Sequence, residues 1–321
     1  NLINGLIENG IIPVVTLYHW DLPQVIQDLH KGWLDTTGHT VDAFAQYADT
    51  VFGLFGDRVK EWITINEPWV IATEGHGSGE MAPGAFNQKY RAGHTLILSH
   101  AAAYKVYKSK YQETQKGEIG ITFSSGYSEG SMPSDPDNWE SGWDSMDFEL
   151  GWFAEPIFGS GDYPTVMRER LGNSSLPRNF LPKFTNKEII DNPGSDFFGL
   201  NHYTSSLTRP MDTVEGYGGM HCENWPGSGS DWLKQVPWGF RKLIRYIKRR
   251  YGNPLIYVTE NGVSNRTGTD MNLDVRFAEK YFNSGQSELC QKSQFLKSKL
   301  QKYECLEIVA INHNFGQIFY N

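Results

Sequence analysis

The chain has 321 residues, of which 39% are hydrophobic and 21% are charged, and this is the composition of a folded globular protein rather than a disordered one. Its net charge of −8 argues against nucleic acid as a partner, because phosphate backbones select basic surfaces. No apolar run approaches the roughly 18 residues that a membrane-spanning helix needs. The length suits one large α/β domain or two smaller ones.

Apolar runs of strand length recur along the chain and alternate with segments of helical spacing. The clearest runs lie at 12–17, 59–65, 119–123, 197–200 and 255–258. Two amphipathic segments, 40–55 and 240–251, are predicted to be helices. The second carries many basic residues, which we interpret as the solvent face of a helix rather than a nucleic-acid patch.

Strands that alternate with helices predict a parallel sheet, either a closed (β/α)₈ barrel or an open doubly wound sheet. No Gly-x-Gly-x-x-Gly follows any of the runs, so the dinucleotide-binding form of the open sheet has no support. Long loops, at 124–143 and 204–237, follow two of the runs, and barrel enzymes build their sites from loops in this position. The expected fold class is therefore α/β, a (β/α)₈ TIM barrel.

Polar side chains follow four of the five runs, where parallel strands would bring them to one rim. The residues in question are His19, Trp20, Asn66, Glu67, Asn201, His202, Tyr203, Thr259 and Glu260. Taken singly, each has a structural explanation, such as a helix cap for Glu67 or a turn at Glu260. Two carboxylates at strand ends are also what hydrolysis of a glycosidic bond requires, because that reaction places one carboxyl group on each side of the anomeric carbon.

Several stretches together resemble the family 1 glycoside hydrolases, which are retaining β-glucosidases and their relatives. They read TLYHWDLP at 16–23, TINEP at 64–68, GWFAEPIF at 151–158, GLNHYT at 199–204, WPGSGS at 225–230, PWGF at 237–240 and YVTENG at 257–262. The stretches at 225–230 and 237–240 are most similar to those of the animal lactase-phlorizin-hydrolase-type members. His202, which stands where many members of the family carry a second Tyr, points to the same group. The resemblance implies a (β/α)₈ barrel and hydrolysis of β-glucosides or β-galactosides with retention.

The resemblance also implies residue roles. Glu67 matches the general acid/base and Glu260 the nucleophile of the family. Tyr203 is expected to donate a hydrogen bond to Glu260, which would keep the nucleophile ionised and aligned, and Asn201 supports the same wall.

Three more residues are implied to bind the sugar. Asn66 is expected to bind the 2-hydroxyl, His19 the 3-hydroxyl, and Trp20 to lie beside the ring. The implied partner is a small β-glycoside or oligosaccharide. No cofactor and no metal are expected, because the two carboxylates suffice and no His/Cys/Asp cluster has ligand spacing.

The resemblance sets an expected domain division, with a family 1 catalytic barrel at 1–284 and an unrelated tail at 285–321. Only the family's strands three to seven are recognisable, and the first two and the last are not. We therefore expect an incomplete barrel that carries the catalytic centre without being a competent enzyme alone. The tail is expected to be an aberrant or alternative C-terminus.

Two alternative functions stay open at this stage. One is a non-catalytic, klotho-like binding module or an inactive fragment, although both glutamates argue for an enzyme. The other is a thioglucosidase or transglycosylating relative, which would use the same nucleophile.

The expected localisation is the secretory pathway, either secreted or membrane-associated, with the cytoplasm as the alternative. The animal-type resemblance and two sequons, which begin at Asn173 and Asn265, support the secretory expectation. The three cysteines, Cys222, Cys290 and Cys305, are too few and too scattered for a disulfide framework or a zinc site.

Overall fold

A computed structural model describes residues 1–132, 134–171, 181–185 and 194–264. The chain divides into two compact units, each made of separate segments. The first unit comprises Asn1–Ser124 and Glu149–Gly199, and the second comprises Ser125–Phe148 and Leu200–Asn321.

The described part of the chain contains eight strands and ten α-helices. The strands are β1 (Val14–Tyr18), β2 (Glu61–Asn66), β3 (Glu118–Ser124), β4 (Ser128–Gly130), β5 (Phe198–Asn201), β6 (Ser206–Pro210), β7 (Tyr217–Met220) and β8 (Ile256–Glu260). The helices are α1 (Leu2–Glu8), α2 (Gln24–His30), α3 (His39–Phe55), α4 (Pro68–Thr73), α5 (Lys89–Lys110), α6 (Gln112–Gln115), α7 (Pro136–Met146), α8 (Trp152–Phe158), α9 (Thr165–Leu171) and α10 (Pro237–Arg250). No helix within these described ranges has the length and apolar character needed to cross a membrane.

The sheet of the first unit has the strand order β1-β2-β3-β5. Strands β1 and β2 pair in parallel, with Val14 opposite Glu61, and β2 pairs in parallel with β3, with Glu61 opposite Glu118. The interior of β3 is completely buried, which explains why its sequence is a continuous apolar run rather than an alternating one.

Helices α3 and α5 pack on this sheet through an aromatic cluster. The ring of Phe52 in α3 lies 5.0 Å from Trp62 in β2 and 5.0 Å from Tyr107 in α5, in both cases edge to face. All three side chains are fully buried. The buried residues Phe44, Ala48 and Phe52 follow one another at intervals of four along α3. This spacing in the sequence predicts the buried face of the helix.

The second unit contains a separate three-stranded sheet in the order β4-β6-β7, with β4 parallel to β6 and β6 antiparallel to β7. Helix α7 lies against β4 so closely that a Cβ on Gly130 would lie 2.1 Å from the carbonyl oxygen of Asn138. A Cβ on Gly142 would in turn lie 2.9 Å from the backbone nitrogen of Gly130. The small sheet therefore depends on two facing glycines.

This small sheet corrects the expectation that 124–143 and 204–237 are loops. Strands β4, β6 and β7 and the start of α7 lie inside those ranges. The strands are three to five residues long and rich in Ser and Gly, so they lack the apolar pattern by which a strand is recognised.

The second unit also contains β8, which neighbours the β5 residues of the same unit, and the predicted basic helix. That helix, α10, buries Phe240, Leu243, Ile244 and Ile247 on one face, whereas Arg245 and Arg249 are exposed. The basic residues of α10 thus lie outside its buried face, and their interpretation as a solvent face rather than a nucleic-acid patch stays a prediction.

Candidate active site

Glu67 follows β2 directly and occupies the N-cap position of α4 in the first unit. Its φ of 51° lies in the left-handed region that residues other than Gly rarely adopt, and Pro68 begins the helix behind it. The Glu67 N–H donates to the carbonyl of Thr122 in β3 at 2.8 Å, and the residue is only 6% exposed. This carboxyl group is therefore fixed at the end of the sheet by both its backbone and its burial.

The end of β2 is irregular in a way that affects both Asn66 and Glu67. The pairing of β2 with β3 shifts register between Ile63 and Asn66. Regular strands direct successive side chains to opposite faces, and a register shift followed by a left-handed residue interrupts that alternation. Neighbouring residues can then contribute to a single site.

Asn66 is bound by the two polar residues that follow β1. The indole Nε1 of Trp20 donates to the carbonyl of Asn66 at 3.1 Å. The amide Nδ2 of Asn66 lies 3.2 Å from Nε2 of His19. Trp20 also has a left-handed backbone, with φ of 79°. The first unit thus brings together four residues predicted for the site, which are His19, Trp20, Asn66 and Glu67.

Glu260 ends β8 in the second unit and is held by the segment that follows β5. The phenol of Tyr203 donates to Oε2 of Glu260 at 2.6 Å, and this is the hydrogen bond that the sequence predicted. The backbone carbonyl of Glu260 accepts from the N–H of His202 at 3.0 Å. One residue earlier, the hydroxyl of Thr259 donates to Oδ1 of Asn201 at 2.6 Å. The second unit thus brings together Asn201, Tyr203 and Glu260.

His202 has a structural environment in spite of its place between two predicted site residues. The ring is fully buried, stacks on Phe240 at 5.0 Å, and its Nδ1 lies 2.9 Å from the carbonyl of Ser125. Burial lowers the pKa of His202 to about 4, so the ring is neutral at physiological pH. It anchors the backbone from which Tyr203 reaches Glu260.

Trp232 lies beside Tyr203 and was not among the predicted site residues. Its ring is 56% exposed and meets the ring of Tyr203 edge to face, with 6.1 Å between centroids. An exposed indole next to Tyr203 provides an apolar surface against which a bound molecule can stack. The signal in the sequence was a tryptophan two residues after a Gly- and Ser-rich stretch, where no core position is expected.

Carboxylates at two strand ends of a parallel α/β sheet are an arrangement that one class of protein, the barrel-type glycoside hydrolases, uses. Within that class the chain belongs to glycosyl hydrolase family 1, because the model of this family matches residues 1–306. The match extends past the domain boundary predicted at 284. That boundary lies outside the described residues and stays a prediction.

Curated relatives agree with this assignment. The chain is 43% identical over 302 residues to human lactase/phlorizin hydrolase, covering 88% of this chain and 16% of that protein. It is 38% identical over 352 residues to beta-glucosidase 42 of Arabidopsis thaliana, covering 99% of this chain and 69% of that protein. This chain thus spans a small part of the first relative and about two thirds of the second.

Solved structures confirm the fold class. A rice β-glucosidase in a covalent complex with glucose has a TM-score of 0.85 at 36% identity, covering 91% of this chain and 67% of that structure. An aphid myrosinase has a TM-score of 0.83 at 35% identity, with coverage of 91% and 66%. These neighbours are (β/α)₈ barrels, and the parallel sheet and helices described above belong to the same fold class.

Proposed function

We propose that this chain carries the catalytic machinery of a retaining β-glycosidase, which hydrolyses terminal β-glucosides or β-galactosides. The observation that carries the proposal is the short hydrogen bond from Tyr203 to Glu260, at the strand end where the family has its nucleophile. Glu67 supports it from the end of β2, since the chain has retained both carboxylates and a binding module needs neither.

The reaction begins with attack by Glu260. Tyr203 holds Oε2, which directs Oε1 toward the anomeric carbon of the bound sugar. As the bond from that carbon to Glu260 forms, the bond to the leaving oxygen breaks, and Glu67 transfers its proton to that oxygen. The product of this step is a glycosyl ester on Glu260 and a free alcohol.

Water completes the cycle in the second step. Glu67, now ionised, removes a proton from water while the water oxygen attacks the anomeric carbon. The ester bond to Glu260 breaks, and the enzyme returns to its starting protonation state. Two displacements at one carbon retain its configuration, and they require the two carboxyl groups to lie about 5–5.5 Å apart.

Binding of the sugar is assigned to the cluster that surrounds Asn66. His19 and Asn66 already contact each other, so their outer polar atoms would bind adjacent hydroxyl groups of one ring, with Trp20 beside it. Asn66 would bind the 2-hydroxyl, a contact that strengthens at the transition state.

Trp232 is assigned to the leaving group. Its solvent-exposed ring suits the outer part of the substrate, because the terminal sugar enters a pocket first and the leaving group stays toward solvent. The names of the relatives, lactase/phlorizin hydrolase and β-glucosidase, support a small β-glycoside as substrate. The resemblance to the animal-type members and the two sequons support a secretory location.

The test is covalent trapping of the intermediate. The full chain is incubated with an activated 2-fluoro-β-glucoside, and its intact mass and peptide map are recorded. We expect one glycosyl adduct, located on Glu260, and none on the matched variant Glu260→Gln. Labelling of this chain would overturn the expectation from the sequence that it is not a competent enzyme alone. A full-length family member labelled in parallel serves as the positive control. Absence of an adduct on this chain alone, or an adduct on another residue, would contradict the proposal.

A further inference from the structure

Residues 225–236 form a compact loop in the second unit, here called the Trp232 loop. The N–H of Gln235 donates to the carbonyl of Pro226 at 2.8 Å, and the N–H of Leu233 donates to the carbonyl of Ser230 at 3.1 Å. The side-chain amide of Gln235 donates to the carbonyl of Gly227 at 3.2 Å. Hydrogen bonds within the loop therefore hold its two ends together.

One side of the loop is fastened to the segment that follows Glu260. The N–H of Gly229 donates to the carbonyl of Ser264 at 2.7 Å. The hydroxyl of Ser264 donates to Oγ of Ser230 at 2.8 Å and lies 3.1 Å from Oγ of Ser228. These contacts, here called the serine clasp, centre on Ser264, four residues after Glu260.

The other side of the loop is fastened to the segment that carries Tyr203. The hydroxyl of Thr204 donates to the carbonyl of Lys234 at 2.8 Å. Ser230 and Lys234 lie two residues before and two residues after Trp232. The loop is thus bonded on both sides of the exposed Trp232 ring. One set of bonds goes to the segment that carries Glu260, and the other goes to the segment that carries Tyr203.

We propose that Ser264 is a positioning residue that fixes Trp232 relative to Glu260 and thereby sets the selectivity for the leaving group. The proposal rests on the proposed function. Without the hydroxyl of Ser264, the loop would keep its internal hydrogen bonds and the backbone bond from Gly229 to Ser264, but it would lose the side-chain contacts of Ser264 with Ser230 and Ser228. The stacking surface would then be less well placed, while the Tyr203–Glu260 pair itself is untouched.

The choice of leaving group separates an effect on Trp232 from an effect on the Tyr203–Glu260 pair. The leaving group is present only in the first displacement, so a disturbed Trp232 slows that step in proportion to the contact that a leaving group makes. β-Glucosyl fluoride has a single atom as its leaving group and makes no such contact. An aryl β-glucoside with the same sugar makes the full contact.

The first experiment compares kcat/KM for these two substrates in Ser264→Ala and in the wild type. We expect a fall of about three- to tenfold for the aryl glucoside, as for loss of one hydrogen bond, and no change for the glucosyl fluoride. Ser264→Thr, which keeps the hydroxyl, should restore the aryl rate. Ser109→Ala removes an exposed hydroxyl bonded within α5 and serves as the matched control.

Two kinetic outcomes would overturn the proposal. Equal losses for both substrates would mean that Ser264 acts on the nucleophile, and no loss for either would mean that the clasp does not position Trp232. Ser230→Ala is a second route to the same test, because it removes the partner hydroxyl. The double variant should be no worse than Ser264→Ala, because the contact that Ser230→Ala removes is already lost in that variant.

A readout that does not depend on activity separates failure of the clasp from failure of the proposed function. If the trapping experiment labels nothing, hydrogen exchange of loop amides decides instead. We expect the amide of Gly229, which bonds to Ser264, to exchange at least threefold faster in Ser264→Ala than in wild type, and the amide of Leu233, which bonds within the loop, to be unchanged. Unchanged exchange at Gly229 would refute the clasp, whatever the activity of the chain.

Discussion

Glu67 shows, at the scale of the residue, how one position meets two demands. It must end a strand and begin a helix, and it does so in a left-handed conformation that costs about 1–2 kcal/mol for a residue with a Cβ. Glycine would remove that cost but would also remove the carboxyl group. The conformation is stabilised by the hydrogen bond to Thr122 and by Pro68, whose fixed φ suits the first helical turn.

The proposed role of Glu67 predicts a specific pattern of rescue. In Glu67→Ala we expect kcat/KM to fall by about 10²–10⁴-fold for substrates with a poor leaving group, because protonation of the leaving oxygen is lost. Substrates with an activated leaving group should react nearly normally in the first displacement. Added azide should then restore turnover, since azide attacks the glycosyl ester without a general base.

The product identifies which carboxylate was removed. Glu67→Ala should yield the β-glycosyl azide, because azide enters from the face that water normally uses. Glu260→Ala is the matched control and should yield the α-glycosyl azide by direct displacement. The same anomer from both variants would contradict the division of roles.

The sequence predicts most residues of the candidate site but not their contacts. His19, Asn66, Tyr203 and Glu260 stand in recognisable motifs, so their identity follows from the chain alone. The bonds from Asn66 to Trp20 and His19 join residues 46 and 47 positions apart, and such proximity depends on the fold. Trp232 was missed for the same reason, because only its distance from Tyr203 distinguishes it from other exposed aromatics.

At the scale of the element, the five strands that match the predicted apolar runs each begin and end within two residues of those runs, and they are β1, β2, β3, β5 and β8. Buried parallel strands are apolar on both faces, and this makes them conspicuous in sequence. The small sheet could not be predicted, because its stability depends on remote pairing. The hydroxyls of Ser128 in β4 and Ser206 in β6 lie 3.0 Å apart although 78 positions separate the two residues.

His100 joins three elements of the first unit at one buried ring. Its Nδ1 lies 2.8 Å from the hydroxyl of Thr64 in β2, and its Nε2 lies 3.1 Å from the carbonyl of Gly194. With Nε2 donating to the carbonyl, Nδ1 of the neutral ring is left as an acceptor that faces the Thr64 hydroxyl, and a proton on Nδ1 would remove that acceptor. Burial lowers the pKa of His100 to about 4, against smaller opposing effects of the Gly194 carbonyl and Asp196.

This pKa predicts how stability changes with pH. Between pH 6.5 and about 4 the unfolded chain binds a proton at His100 that the folded chain does not bind. The free energy of unfolding should therefore fall as the pH falls through this window, by on the order of 3 kcal/mol, and the contribution is complete above pH 6.5.

Chemical denaturation at a series of pH values between 4 and 7 measures the effect. We expect His100→Gln to show a shallower dependence on pH than the wild type, without losing it entirely, because His202 has the same lowered pKa. Ser99→Ala changes the adjacent buried residue of α5 without altering a titratable group, so it should keep the wild-type slope. If the free energy of unfolding of His100→Gln changed with pH as steeply as that of the wild type, the His100 ring would not be the source of the pH dependence.

At the scale of the whole molecule, the two compact units are not consecutive segments. The chain passes from one unit to the other after Ser124, after Phe148 and after Gly199. The last of these passages lies within β5, so one strand contributes residues to both units. Neither unit can therefore be excised as a single stretch of sequence.

This interleaving predicts one cooperative unfolding transition instead of two. Calorimetry should give equal calorimetric and van't Hoff enthalpies, and hydrogen exchange should report the same opening free energy for core amides of both units. Two resolved transitions would contradict the prediction.

Gly199 in β5 provides a variant to test the coupling. A Cβ there would lie 2.8 Å from the carbonyl oxygen of Ile121, so Gly199→Ala should destabilise the chain by about 1–3 kcal/mol. We expect the single transition to move as a whole by several degrees. Gly219→Ala in β7 is the matched control, because a Cβ at Gly219 meets nothing within 4 Å.

The interleaved order also has a consequence for synthesis on the ribosome. The first unit contains β1, β2 and β3 early in the chain, yet it also needs 149–199, which are made only after the segment 125–148 of the second unit. At translation rates of about 5–20 residues per second, Glu67 emerges roughly 10–40 s before Glu260. During that interval Glu67 stands on an incomplete sheet, because the edge of β3 that later pairs with β5 is still unpaired. A chaperone that covers this edge would therefore have its greatest effect before residue 199 is added.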